Sequence, residues 1–216
     1  MEKEIYYKVE KIKKTTQGRI LCIRSNMETT FEMQISEEQF LRFGIKEGAV
    51  LDDNRFLSIR EEMLFDNARR AAFSILSCGE NNKKTLSMKL QARGFSYELS
   101  KNVAVYMEHR GYIDEKKQIG LLCEGYLRKG FGKQKIINEL VTKGYQREDV
   151  INYVSDSLAE IDFGQRCAQV IVQKHNPLPK TGEDIKKMIA SLMRLGYTVM
   201  DIKNAIDIVK ENSDAE

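Results

Sequence analysis

A mainly α-helical protein of three tandem three-helix, helix-turn-helix-like repeats, behind a small N-terminal β segment, is the fold class this sequence predicts. Three observations carry it. A glycine–aromatic–polar corner recurs as Arg93-Gly94-Phe95-Ser96, Lys143-Gly144-Tyr145-Gln146 and Leu195-Gly196-Tyr197-Thr198, with glycines 50 and 52 residues apart. Each glycine follows an apolar residue by four positions (Leu90, Leu140, Leu192) and precedes another apolar-striped helix: Leu99, Val103, Met107; then Val150, Val154, Leu158; then Ile202, Ile206, Val209. Composition agrees: 216 residues, 42% hydrophobic and 31% charged, with two prolines and no tryptophan, allow a core and suit long helices. A period near 50 exceeds the ~34 residues of a two-helix unit and fits three helices per repeat.

Residues 5–35 read as β. IYYKVEKI alternates weakly, RILCIRS is apolar and β-branched, and Phe31, Met33 and Ile35 alternate with polar residues. Gln17-Gly18 and Ser25-Asn26 are turn signals. Two or three short strands make a sheet that must lean on helices. Ser36-Glu37-Glu38-Gln39 has the form of a capping box, Gly44 a helix stop, Lys46-Glu47-Gly48 a turn, and Val50-Leu51 a last short strand.

From Asn54 the spacing turns helical: Leu64, Ala68, Ala71, Ala72, Ile75 and Leu76 share one face. A polar loop, Cys78–Asn82, precedes helices expected over Thr85–Arg93 and Tyr97–Arg110. Asp114 is placed as the N-cap of a helix striped by Ile119, Leu122, Cys123, Tyr126 and Leu127. Gly130–Gly132 breaks it, and Ile136, Ile137, Leu140 and Val141 stripe the next helix. The third repeat starts with Cys167, Val170 and Ile171. It breaks at His175–Pro179, resumes at Thr181 with a T-x-x-D cap, and ends near Lys210 before a frayed ENSDAE tail. The expected parts are residues 1–58 (β-rich), 59–112, 113–162 and 163–216 (one repeat each).

No apolar run approaches ~18 residues, and MEKEIYYKVEK is not a signal-peptide pattern, so neither membrane nor export is expected and the protein reads as cytoplasmic. Cys22, Cys78, Cys123 and Cys167 lack metal-ligand spacing and read as reduced thiols, three of them on apolar helix faces. LPKTG over 178–182 lacks the apolar segment and basic tail a sortase signal requires, and leads instead into an amphipathic helix. Gly130-Phe131-Gly132-Lys133 lacks the GK[ST] end and the preceding strand of a phosphate loop. His109 and His175, the two histidines, stand in different repeats. The nine methionines read as core filling. No catalytic constellation emerges, so no enzyme, cofactor or metal is expected.

Charge is the functional clue. Residues 83–147 carry 14 Lys/Arg against six Asp/Glu, a balance of +8, whereas residues 1–82 balance at −1 and 148–216 at −4. Such a basic band is the footprint of a polyanion partner. The candidate contacts are Lys83, Lys84, Lys89 and Arg93; Arg110, Lys116 and Lys117; and Arg128, Lys129, Lys133, Lys135, Lys143 and Arg147. Arg128, Lys129, Lys133 and Lys135 bracket a glycine-rich loop able to approach a phosphate backbone or an acidic surface closely. Tyr126 and Phe131 beside them read as core rather than as stacking platforms for bases.

At these residues the chain resembles the RecX family of bacterial RecA regulators. Gly111-Tyr112-Ile113-Asp114-Glu115 is similar to the family's G-Y/L-I/L-D-D/E signature, and residues 128–144, RKGFGKQKIINELVTKG, to its R-x-K-G-x-x-K/R-I-x-x-E-L-x-x-K-G run. Residues 68–94 resemble the first family repeat; the resemblance spans 60–212. The β segment resembles an extra segment of Gram-positive members. Two departures stand out: Gln118-Ile119 replaces the usual Phe-Ala, and Thr85-Leu86-Ser87-Met88-Lys89 an S-x-x-E-L start. The resemblance implies an elongated, curved, monomeric protein. It would bind in the groove of the RecA–single-stranded DNA filament and there damp ATP hydrolysis and strand exchange. The residues alone also allow a stand-alone helix-turn-helix DNA-binding regulator or a helical-repeat adaptor that binds only protein.

Overall fold

The computed structural model describes residues 4–16, 18–175, 178–179 and 181–214. Outside the described residues lie Gln17 of the expected turn, Asn176 and Pro177 of the expected break, Lys180 of the LPKTG string, and Ala215 and Glu216 of the tail. The chain divides into two compact units: residues up to Gly79 with Ser87–Val103, and Glu80–Leu86 with the residues from Ala104 onward.

In the first unit the alternating segments become β1 (Tyr6–Thr15), β2 (Gly18–Ser25), β3 (Thr30–Ile35) and β4 (Val50–Asp52), an antiparallel sheet in the order β3-β2-β1-β4. A bulge between Val9 and Lys11 shifts the β1–β2 register. The sheet buries Val9, Leu21, Ile23, Met33 and Ile35, and is covered by α1 (Glu37–Phe43) and α2 (Asp53–Leu76) through Phe43, Phe56, Ile59 and Met63. The expected capping box forms: Ser36 Oγ accepts from Gln39 N, Gln39 Oε1 accepts from Ser36 N, and Gly44 closes α1 at φ 61°. Asp52 accepts from Arg55 N at 2.7 Å and starts α2, which runs 24 residues without a break. The expected boundary after residue 58 therefore falls inside α2, whose first turns belong to the sheet's core.

Helices α3 (Lys83–Ala92) and α4 (Tyr97–His109) follow. Then come α5 (Glu115–Arg128), α6 (Lys133–Lys143), α7 (Arg147–Ser157), α8 (Phe163–Lys174), α9 (Gly182–Arg194) and α10 (Val199–Asp214). The last runs one turn beyond the expected end at Lys210. Asp114 caps α5 through Lys117 N at 2.9 Å, and Thr181 caps α9 through Asp184 N at 3.2 Å. Helices α5 to α10 share one core that includes Ile136, Leu140, Val150, Val154, Ile171, Leu192 and Ile202.

The recurring corner is one hydrogen-bonded motif. Gly94, Gly144 and Gly196 have φ of 92°, 103° and 90°. The next aromatic N–H returns to the carbonyl four residues before the glycine: Phe95 to Leu90, Tyr145 to Leu140, and Tyr197 to Leu192, at 3.2–3.3 Å. This pair of features is a Schellman end, and it explains why glycine, an aromatic and a buried leucine travel together.

In the second unit two such corners dock on the start of an earlier helix, one through backbone amides and the other through a capping side chain. The α9 corner meets α6: Gly132 N–H donates to Leu195 O at 2.7 Å and Gln134 N–H to Gly196 O at 3.2 Å. The α6 corner meets α3: Asn82 caps Thr85 N at 2.8 Å while its Nδ2 donates to Lys143 O at 3.0 Å. A negative helix end thus faces a positive one, and otherwise orphaned amides are satisfied.

Two sequence expectations need correction. Cys123 and Cys167 are buried on helices, but Cys78 is exposed in the turn after α2 and Cys22 lies on a strand, so two thiols rather than three occupy apolar helix faces. Met33, Met63, Met107 and Met188 are core, whereas Met27, Met88, Met193 and Met200 are exposed.

Burial pushes the Cys123 thiol up to about 11, and burial with nearby Asp201 pushes Cys167 up to about 12. Tyr197 is also pushed up to about 12, chiefly by burial. These groups hold their protons longer in the folded state than in the unfolded one. The stability they contribute is complete below roughly pH 8.5 and is lost as pH rises toward their folded values. A disulfide reagent at pH 8 is expected to modify Cys78 first and to reach Cys123 and Cys167 only in denaturant. Four fast thiols in the native protein would contradict this packing.

Candidate polyanion-binding surface

Four second-unit cations, Arg128, Lys129, Lys133 and Lys135, flank the glycine loop between α5 and α6, where two aromatic rings stack. Tyr126 is buried on α5 and stacks on half-buried Phe131, with centroids 5.6 Å apart and planes at 11°. Lys129 Nζ lies 5.7 Å from the Tyr126 centroid and Lys135 Nζ 4.2 Å from that of Phe131. Each cation–π contact is worth ~0.5–1 kcal/mol at an exposed site, enough to bias a lysine's rotamers. Arg128 is exposed and has only a long 3.9 Å pair with Glu124. Lys133 is half-buried at the start of α6. The structure thus brings Arg128, Lys129, Lys133 and Lys135 to one loop, as the sequence suggested, and shows the rings serving as its floor.

Elsewhere the candidates part company. The Lys84 stem crosses the α6 corner, where a Cβ on Gly144 would lie 2.8 Å from Lys84 Cδ, so Lys84 adjoins the Lys143–Gly144 turn. Lys143 and Arg147 are exposed around that turn. Arg110 is exposed over the Tyr106 ring at 5.3 Å. Lys116 and Lys117 are exposed in the first turn of α5. Lys89 and Arg93 belong to the first unit; both are exposed, and Arg93 Nη1 donates to Ala71 O at 3.2 Å.

Lys83 is engaged structurally. Its ammonium bonds Glu108 and sits 3.4 Å from Glu115, whose buried carboxylate also accepts the Lys83 backbone N–H at 2.7 Å. Burial works against the charge, but the Glu108 hydrogen bond and the two carboxylates outweigh it and raise the lysine's pKa. Its charge closes the start of α3 and is not available to a polyanion. The cleft beside it, about 430 Å³, is lined by Glu108, Glu115, Asp149 and Asp156 against Lys83 and Lys116. Its sign is wrong for phosphate.

The sequence reading missed a second group of polar residues, Arg166, Gln169, Gln173 and Lys174, spaced to form one stripe of α8. They lie in the acidic last third, where the regional charge balance hid them. The i, i+3, i+7, i+8 spacing of these polar residues was the available signal.

No family model matches the sequence. Curated relatives do. The chain is 22% identical to the regulatory protein RecX of Caldanaerobacter subterraneus subsp. tengcongensis over 171 residues, covering 79% of this chain and 85% of that one. It is 26% identical to RecX of Salmonella paratyphi A over 150 residues, covering 69% and 84%, and 25% identical to RecX of Escherichia coli strain SE11 over 151 residues. A crystal structure of a regulatory protein RecX superposes with a TM-score of 0.63 over 95% of this chain and 99% of its own, at 15% identity. RecX from Lactobacillus salivarius gives 0.53 over 68% and 97%, at 16% identity. Matches in sequence over 69–79% of the chain and in fold over up to 95% of it, both to proteins of one name, support a RecX-family protein.

Proposed function

We propose that this protein binds the RecA filament on single-stranded DNA as a monomer and lowers its ATP hydrolysis and strand exchange, with no cofactor and no catalysis of its own. The observation that carries the reading is the ring-floored cluster of Arg128, Lys129, Lys133 and Lys135. Four cations flank one loop, and two of them, Lys129 and Lys135, are held over its rings; that partial preorganisation removes some of the ordering cost of binding a phosphate-rich groove. Docked corners hold that loop to α9, so the surface is set by the fold rather than by a free loop. Among the described residues no helix is long and apolar enough to cross a membrane.

The test is single-stranded-DNA-dependent ATP hydrolysis by the cognate RecA with this protein titrated in. A fall in rate well below one copy per recombinase is expected. An unchanged rate at saturating amounts overturns the reading.

A further inference from the structure

The end of α5 and the polar stripe of α8 line a half-open cavity of about 140 Å³. A water takes ~30 Å³ of liquid, so the space suits one phosphate with part of its hydration. Four cations line it, Arg128, Lys129, Arg166 and Lys174, together with the amides of Gln169 and Gln173; no carboxylate does.

Arg166 sets this cavity apart from a scatter of surface lysines. It is half-buried, and one Nη donates to Leu127 O, which fixes the plane of the guanidinium. Its Nε is enclosed and has no acceptor, and among the described residues no carboxylate pairs with it. With no acid partner on the protein, the charge of this half-buried guanidinium is left for a counter-ion in the adjoining cavity. Two carbonyls beside the cavity are occupied: Leu127 O on α5 accepts from Arg166, and Gly130 O in the following loop accepts from the Tyr197 hydroxyl at 3.0 Å.

We infer that this α5–α8 cavity is a seat for one backbone phosphate of single-stranded DNA, with Arg166 as the fixed cation, Lys174 as the mobile one, and Gln169 and Gln173 as neutral donors. The inference rests on the filament-binding reading but extends the contact from the glycine loop onto α8. Its geometry suits a singly charged phosphodiester, which needs donors around a tetrahedron rather than a base-specific edge.

Binding of a fluorescein-labelled oligothymidylate to the full-length protein, followed by anisotropy across a salt series, tests it. The variants are Lys174→Glu, Arg166→Gln and, as a control of equal charge change, Lys203→Glu on the exposed face of α10. Lys174 is exposed, with no packing role, so its variant reports on binding even if Arg166→Gln weakens the fold. Lys174→Glu is expected to weaken binding about five- to tenfold and to lower the slope of log K against log salt by roughly 0.7, one phosphate on a single strand. Lys203→Glu should leave the slope unchanged. Equal effects of Lys174→Glu and Lys203→Glu overturn the inference. In that event, RecA inhibition by the wild-type protein would still stand as support for the filament reading alone.

Discussion

Gly196→Ala is expected to destabilise this protein far more than Gly94→Ala, although both glycines hold the same place in the same corner. Each has φ near +90°, a region that costs a side-chain-bearing residue roughly 1–2 kcal/mol. At Gly94 a new Cβ meets nothing within 4 Å, so that backbone cost is the whole effect. At Gly144 it meets the Lys84 side chain at 2.8 Å, which can swing aside for a small addition. At Gly196 it would overlap the Lys135 backbone nitrogen, and neither backbone can yield without breaking the Gly132–Leu195 and Gln134–Gly196 bonds. The expected order in urea denaturation is Gly94→Ala at about 1–2 kcal/mol, Gly144→Ala slightly above it, and Gly196→Ala at roughly 3 kcal/mol or more. Three equal losses would mean that the corners cost only their φ and that the docking contributes nothing.

Reversing Arg128, Lys129, Lys133 and Lys135 together to glutamate is expected to abolish the effect on RecA while leaving the helices intact. Surface charge contacts are worth up to ~1 kcal/mol each; four at ~0.7 kcal/mol amount to about 2.8 kcal/mol, a factor of about a hundred in affinity. The concentration needed for half-inhibition of the ATPase should rise by at least that factor, and the circular dichroism spectrum should not change. A variant that still inhibits at wild-type concentrations would place the contact elsewhere. Loss of DNA binding in this variant, in a protein whose wild type leaves the RecA rate unchanged, would favour a stand-alone DNA-binding regulator.

Much of the helical architecture was legible because its punctuation is chemical. Gly94, Gly144 and Gly196 must accept positive φ, Asp114 and Thr181 must cap, and Leu90, Leu140 and Leu192 must be buried where the returning amide bonds. Those are local demands, visible within six residues. What stayed hidden was long-range. Nothing in the sequence around Lys83 announces Glu115 from 32 positions away, so a lysine committed to an ion pair looked like one free for a ligand. Arg166 and Lys174 were lost for the opposite reason: a count over 69 residues gave −4 and averaged away one basic stripe of α8. The helical spacing of α2 was legible from Asn54, but a part boundary drawn after residue 58 cut it, because its first turns serve the sheet and its later ones continue beyond it.

The docked corner also bears on how the protein is made. The first amides of α6, on Gly132 and Gln134, find their acceptors on Leu195 and Gly196. During synthesis α6 leaves the ribosome with those amides facing only water and waits while more than fifty further residues are added. Its N-terminal end is completed only when α9 has formed and turned its own corner. A chain stalled or truncated before residue 195 would therefore carry an unfinished joint at the centre of its basic loop, the place where a quality-control protease would find its first foothold.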